Sequence, residues 1–144
     1  SSVGGLNGGF SGWGIYCATK FAMAGFTEAL AMEVEEFGVN TTIVYPGYFR
    51  TDFLNKNSVR TPSRAIEAYE SARQSENLHF EQINGNQPND PEKAAEVLIA
   101  ISKEQNPPGH LLLGKDAFDM LNTKMKILTQ EMKKWEEYTM STLF

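Results

Sequence analysis

Cysteine is almost absent, with Cys17 the only one in 144 residues. A single thiol excludes an internal disulfide framework and fits a reducing compartment. Histidine is scarce too: His79 and His110 stand far apart with no cysteine pair beside them, so no metal-ligand set can be written and both read as ordinary surface or packing residues. No apolar run approaches the roughly 20 residues of a membrane span, and no charged-then-apolar leader precedes the first predicted helix. The expectation is a cytoplasmic protein with no membrane partner. Basic charge is in deficit, 13 Lys and Arg against 18 Asp and Glu for a net charge of −5. Such a balance repels phosphate backbones and anionic lipid, which removes nucleic acid from the expected partners.

What is present belongs to one globular core: 41% of the residues are hydrophobic and 22% charged, a mixture that folds rather than staying disordered. Between Gly14 and about Gly38 the residues Ala18, Ala22, Phe26, Ala29, Leu30 and Val34 recur every three or four positions, predicting a helix with one apolar face. Gly38 stops it. The β-branched run Asn40 to Tyr45 then predicts a buried strand ended by Pro46 and Gly47, so helix and strand form half of a βαβ unit. From Tyr48 to Asn89 the sequence is mostly irregular, with one helix expected at about Ser63 to Ser75 sharing Ile66, Tyr69 and Ala72 on a face. An excursion of such length inside a compact domain reads as a lid or binding segment, and Phe53, Leu54, Leu78 and Phe80 give it something to pack.

Asp90 before Pro91 is a helix start, because the carboxylate caps free amides while proline fits the first turn. Ala94, Ala95, Val97, Leu98 and Ile101 continue that helix, Pro107 to Gly109 break it, and His110 to Leu113 predicts a second short strand. A last amphipathic helix runs from about Lys115 to Met140 along Ala117, Leu121, Met125, Leu128, Met132 and Trp135. Two strands make a poor sheet, since parallel strands need cover on both faces. Further strands are therefore expected upstream of Ser1, and the chain, which opens on a glycine-rich turn, reads as a cut sequence.

Tyr16 and Lys20 are four residues apart on the first predicted helix, so they project from one face. A phenol with a reference pKa of about 10 is a poor base at neutral pH unless its anion is stabilised. An ammonium about 4 Å away contributes about 4 kcal/mol at an effective dielectric near 20, the size needed to move a phenol by two to three units. A helix N-terminus adds about 0.3 to 1 kcal/mol in the same sense. The same spacing arises by chance on many surface helices. Here it is framed by a Ser-Ser pair ahead of a glycine-rich turn and by a strand ending in Pro-Gly.

Taken in order, SSVGG, YCATK, YPGYFRT and HLLLGKDA closely resemble the short-chain dehydrogenase/reductase family over essentially the whole chain. The resemblance implies an α/β fold in which residues 1–144 are the C-terminal part of a single Rossmann-like, doubly wound parallel sheet, without the N-terminal cofactor-binding strands. It implies hydride transfer between NAD or NADP and a carbonyl or secondary alcohol. Tyr16 matches the general acid/base, Lys20 the lysine that favours the phenolate and holds the nicotinamide ribose, and Ser2 the serine that polarises the substrate oxygen. Ser2 stands fourteen residues before Tyr16, one more than the family's usual spacing, and the extra residue is assigned to the loop Gly4 to Gly14. Pro46 and Gly47 match the turn passing the nicotinamide, and Thr51 the threonine that contacts the cofactor. Tyr48, Phe53 and Leu54 are the expected substrate contacts. The expected partners are a small carbonyl or alcohol substrate and further copies of the chain, as a homodimer or homotetramer through the tyrosine-bearing helix.

A fragment without the glycine-rich phosphate turn should bind dinucleotide feebly, which places the activity in a longer parent chain. Two other classes compete with this reading. A non-catalytic member serving as a binding or structural subunit would also use the apolar helix seams, but it would have no need to keep serine, tyrosine, lysine and Pro-Gly together. Serine hydrolysis is hinted at by Gly9-Phe10-Ser11, yet Trp13 occupies the position where the nucleophile elbow needs glycine. Cys17 has no histidine partner in sequence and reads as a packing residue.

Overall fold

The computed structural model describes every residue except 56 and 65. Its elements are helix α1 (Gly14–Val34), strand β1 (Ile43–Pro46), helices α2 (Glu70–Asn77) and α3 (Pro91–Ile101), strand β2 (His110–Leu113), and helices α4 (Lys115–Lys134) and α5 (Glu136–Met140). The two strands pair in parallel, Ile43 opposite His110 through Pro46 opposite Leu113. The ladder is continued at both ends, where Ile43 N donates to Gly109 O at 2.8 Å and Gly47 N to Leu113 O at 2.8 Å. A parallel pair requires a crossover, and the whole stretch containing α2 and α3 supplies it.

The strands, the first helix and the proline-started helix fall where the periodicity places them, with small shifts. Gly38 closes α1 through a 3₁₀ turn in the left-handed region at φ 69°, a conformation that costs glycine little. Asp90 accepts from Glu92 N at 2.9 Å, the expected N-cap. β1 begins at Ile43 rather than Asn40, because Gly109 just ahead of β2 gives the ladder its first partner only there.

Two expectations are corrected. The helix expected over Ser63 to Ser75 lies at Glu70–Asn77 and runs on as a π-helical turn, Leu78–Ile83. Ile66 and Tyr69 lie outside that helix and are exposed at 61% and 63%, so of the expected face only Ala72 packs inward, against Gly12. The last helix breaks at Trp135. The inward side of α1 is carried by Cys17 and Ala24, both buried, while Ala18, Ala22, Phe26 and Ala29 point outward. The apolar periodicity is real, but it marks the outer stripe.

The core that positions the site is small: Ala24, Ile43 and Tyr45, flanked by Leu6 and Leu112. Tyr45 is fully buried, with its hydroxyl 3.1 Å from His110 Nδ1 and the two rings stacked. At the other end of β1 a polar knot fixes the chain. Asp116, in the first turn of α4, accepts from Tyr48 N at 2.6 Å and from Asn89 Nδ2 at 2.7 Å. Asn89 Nδ2 also donates to Tyr48 O at 2.8 Å, and Asn89 forms a parallel bridge with Phe49. Gly47 is pressed against the Asp116 carboxylate so closely that a side chain there would collide with it.

Candidate active site

The segment Ser1 to Gly5 and the second turn of α1 are locked together before any ligand is considered. Ser1 Oγ donates to Lys20 O at 2.8 Å, and Ser2 Oγ accepts from Gly4 N at 3.1 Å, capping a 3₁₀ turn. A Cβ on Gly5 would lie 2.7 Å from Lys20 O, and one on Gly4 would lie 3.2 Å from the Tyr16 ring and 3.6 Å from Ser2 Oγ. The glycines therefore let this segment lie directly on α1. Ser2 comes beside Tyr16 despite the extra residue, which the intervening loop absorbs.

Tyr16 and Lys20 share one site, though not as a hydrogen-bonded pair. The Lys20 ammonium lies over the phenol ring, 5.4 Å from its centroid, where the ring quadrupole attracts it. It has no carboxylate partner among the described residues. Tyr16 is held edge-on by Trp13, with centroids 5.8 Å apart, and flanked by Phe53 at 5.8 Å. Ser2 spends one lone pair on Gly4 N and keeps its O–H for an incoming oxygen.

A cavity of about 330 Å³ brings these groups together with the residues after β1. Ser2, Tyr16, Lys20, Pro46, Gly47 and Thr51 all line it. Of the expected substrate contacts, Tyr48 and Phe53 form its wall, and Leu54 lies buried at its edge. Thr51 also caps the short 3₁₀ turn Asp52–Leu54, accepting from Phe53 N at 3.4 Å. The cavity opens at the carboxyl end of β1, where open α/β sheets receive ligands.

Several wall residues were not anticipated. Phe10 and Trp13 come from the loop before α1, and Gln87 from the end of the crossover. His79, expected as an unremarkable surface or packing residue, is 5% exposed and lines the cavity from the π-helical turn, its ring 4.7 Å from Trp13. Its Nδ1 lies 2.6 Å from Ser75 O and its Nε2 2.8 Å from the Tyr48 hydroxyl. Only the fold reveals this, because nothing in the sequence around His79 marks it. The π turn aims the ring inward, and α2 holds the turn in place. Ala72 packs on Gly12, itself in the left-handed region at φ 82°, while Ser71 Oγ and Ser11 Oγ are 3.0 Å apart.

The surroundings of Tyr48 hold it in its protonated form. Burial first, then the Asp116 carboxylate, then Tyr16 and Cys17 push the Tyr48 phenol up to about 12. Burial also raises the Cys17 thiol, which disfavours the thiolate a nucleophile would need. Among the described residues no group of three metal-ligating side chains converges. No described helix is long and apolar enough to cross a membrane.

The donor set suits the nicotinamide end of a dinucleotide. A half-buried ammonium with no acidic partner among the described residues, a threonine hydroxyl and a tight Pro46–Gly47 turn at a strand's carboxyl end offer hydrogen bonds to ribose hydroxyls and a carboxamide.

Known proteins share the sequence and fold of this chain. Residues 1–61 match the family model for short chain dehydrogenases. The oxidoreductase BOA17 of Botryotinia fuckeliana is 30% identical over 142 residues, 99% of this chain and 51% of that protein. The 3-ketodihydrosphingosine reductase of Bacteroides thetaiotaomicron is 33% identical over 116 residues, 79% of this chain and 42% of that protein. A crystal structure of a short-chain dehydrogenase from Streptomyces avermitilis superimposes with a TM-score of 0.84 at 34% identity, covering all of this chain and 51% of that one. The chain thus spans about half the length of the relatives it matches. Its two parallel strands and flanking helices are part of a Rossmann-like α/β fold, and the chain belongs to the short-chain dehydrogenase/reductase family.

Proposed function

We propose that the whole protein transfers a hydride between NAD or NADP and a carbonyl or secondary alcohol, with Tyr16 as the acid/base group. The observation that carries this reading is the meeting of Ser2, Tyr16 and Lys20 with the Pro46–Gly47 turn in one cavity. Ser2 donates its free O–H to the substrate oxygen. Tyr16 delivers a proton to that oxygen during reduction and takes it back during oxidation. Lys20 favours the phenolate and holds the ribose; Pro46, Gly47 and Thr51 seat the nicotinamide side. The nicotinamide, when bound, supplies or accepts the hydride. Tyr48, Phe53 and Leu54 enclose the substrate, and the segment 48–89 is its binding loop. We place the protein in the cytoplasm, as a homodimer or homotetramer paired through the outward stripe of α1.

The test is a pair of substitutions in the full-length protein, assayed with both cofactors on several ketones. Tyr16→Phe that still binds cofactor should lose two to four orders of magnitude in kcat, roughly the range for general acid/base groups. Lys20→Met should fall comparably. Equal ketone reduction by Lys20→Met would overturn the proton relay.

A further inference from the structure

The cavity holds polar groups that the proton-transfer site does not use. Ser75 O can only accept, so His79 Nδ1 carries the hydrogen at 2.6 Å. In the neutral ring Nε2 is then an acceptor, and the contact 2.8 Å away must be donated by the Tyr48 hydroxyl. The Tyr48 phenol keeps its proton through neutral pH, since its surroundings push it up to about 12. Its only hydrogen is committed to His79, leaving the oxygen an acceptor on the cavity wall. Gln87 lines the same cavity at 2% exposure, and its Oε1 has no hydrogen-bond partner among the described residues. Arg50 anchors that residue by donating to its carbonyl from Nε at 3.3 Å and Nη2 at 3.1 Å. A buried acceptor without a donor is costly, and native folds leave few of them.

We propose that Tyr48 and Gln87 form a recognition point for a hydrogen-bond donor on the substrate, so that the preferred substrate carries a hydroxyl apart from its reacting carbonyl. This deepens the oxidoreductase reading and rests on it for the identity of the second group. The body of the substrate packs on Phe10, Trp13 and Phe53. An ether or a second carbonyl at the same place finds only an acceptor at Tyr48, and would have to turn the Gln87 amide around to meet its N–H donors. A carboxylate additionally meets the negative field of Asp116, which already acts on Tyr48. The class that fits is an aromatic or short aliphatic hydroxycarbonyl, or in the oxidative direction a diol.

The experiment uses the full-length protein and three probes, 4-hydroxyacetophenone, 4-methylacetophenone and 4-methoxyacetophenone. Reduction is followed with NADH and NADPH. Binding is measured separately by equilibrium dialysis with the oxidised cofactors, which cannot reduce a ketone. The hydroxy compound should be preferred over the methyl compound by about tenfold, the scale of one buried hydrogen bond. That ratio should collapse toward one in Tyr48→Phe and shrink in Gln87→Met. His79→Leu frees the Tyr48 hydroxyl to donate, so the methoxy compound should gain relative to the hydroxy compound, a reversal that loss of packing alone does not produce. No preference in the wild type, or a preference unchanged in both Tyr48→Phe and Gln87→Met, overturns the proposal. Selective binding without reduction by either cofactor upholds the recognition point and removes the hydride-transfer reading; reduction without selectivity does the opposite.

Discussion

Tyr48 and Tyr16 are both phenols of one cavity, and their neighbours assign them different work. Tyr48 faces burial, the Asp116 carboxylate and an imidazole acceptor, each of which favours the protonated form. Its folded-state value near 12 lies above the unfolded reference of about 10, so the associated stability is fully present below pH about 10 and is lost as pH rises toward 12. In an absorbance titration of the five tyrosines, Tyr48→Phe should shrink the late-ionising phase, to which the buried Tyr45 also contributes, and flatten the alkaline decline of Tm. An unchanged late phase would show that this environment is misassigned. Gly5 offers a second residue-scale check. A methyl group there would meet the Lys20 backbone at 2.7 Å, and backbone cannot step aside as a side-chain tip can. Gly5→Ala should move Ser2 away from Tyr16 and reduce kcat by at least tenfold, about what a small displacement of an oriented group costs, with cofactor affinity less affected.

At the scale of elements, the turn after β1 is aimed by a knot no sequence pattern announced. Asp116 and Asn89 lie 68 and 41 residues from Tyr48, and both hold its backbone. Removing either leaves buried groups unpaired, so Asn89→Ala and Asp116→Ala should each lower stability by about 1 to 3 kcal/mol. Because Pro46 and Gly47 ride on the same turn, both variants should also raise the cofactor KM more than they reduce kcat. A Tm drop with unchanged cofactor KM would confine the knot to a structural role. What was legible in the sequence was local. The Asp90–Pro91 start, the Gly38 stop and the His110 to Leu113 strand follow from capping, left-handed glycine and β-branching or apolar runs. The Tyr16–Lys20 spacing follows from helix geometry, and Ser2 from resemblance. What stayed hidden depends on partners distant in the chain. His79 reaches the cavity only through a π turn that continues α2, the helix docked on Gly12 through Ala72, and Gln87 only through the folding-back of the crossover. The periodicity of α1 marks an apolar stripe but not its direction: the small Cys17 and Ala24 face the core, while the larger Phe26 faces out.

For the molecule as a whole, that outward stripe is the largest unsettled demand. Ile15 is 85% exposed, Phe26 70% and Met32 73%, and Ala18, Ala22 and Ala29 lie exposed between them. Recurring every three or four residues, they form one continuous apolar side of α1, opposite the side that carries Lys20 and Ala24 toward the core. Contiguous apolar surface of this kind calls for cover. Two sources are distinguishable: a second copy, which by twofold symmetry would bring the same stripe against itself, or chain beyond the half-length described here. In the full-length protein, Ala22→Arg with Phe26→Glu should shift the mass in solution to that of a monomer if α1 pairs with α1, leaving each fold intact. Light scattering on a size-exclusion column reads that outcome. If the mass is unchanged while Tm falls steeply, the stripe is an internal contact, and the assembly must use another surface. The proposed cofactor site faces the other side of the helix, so the dimer reading also expects the monomeric variant to retain cofactor binding. An internal contact broken by two charges would disturb the segment carrying Tyr16 and lose it.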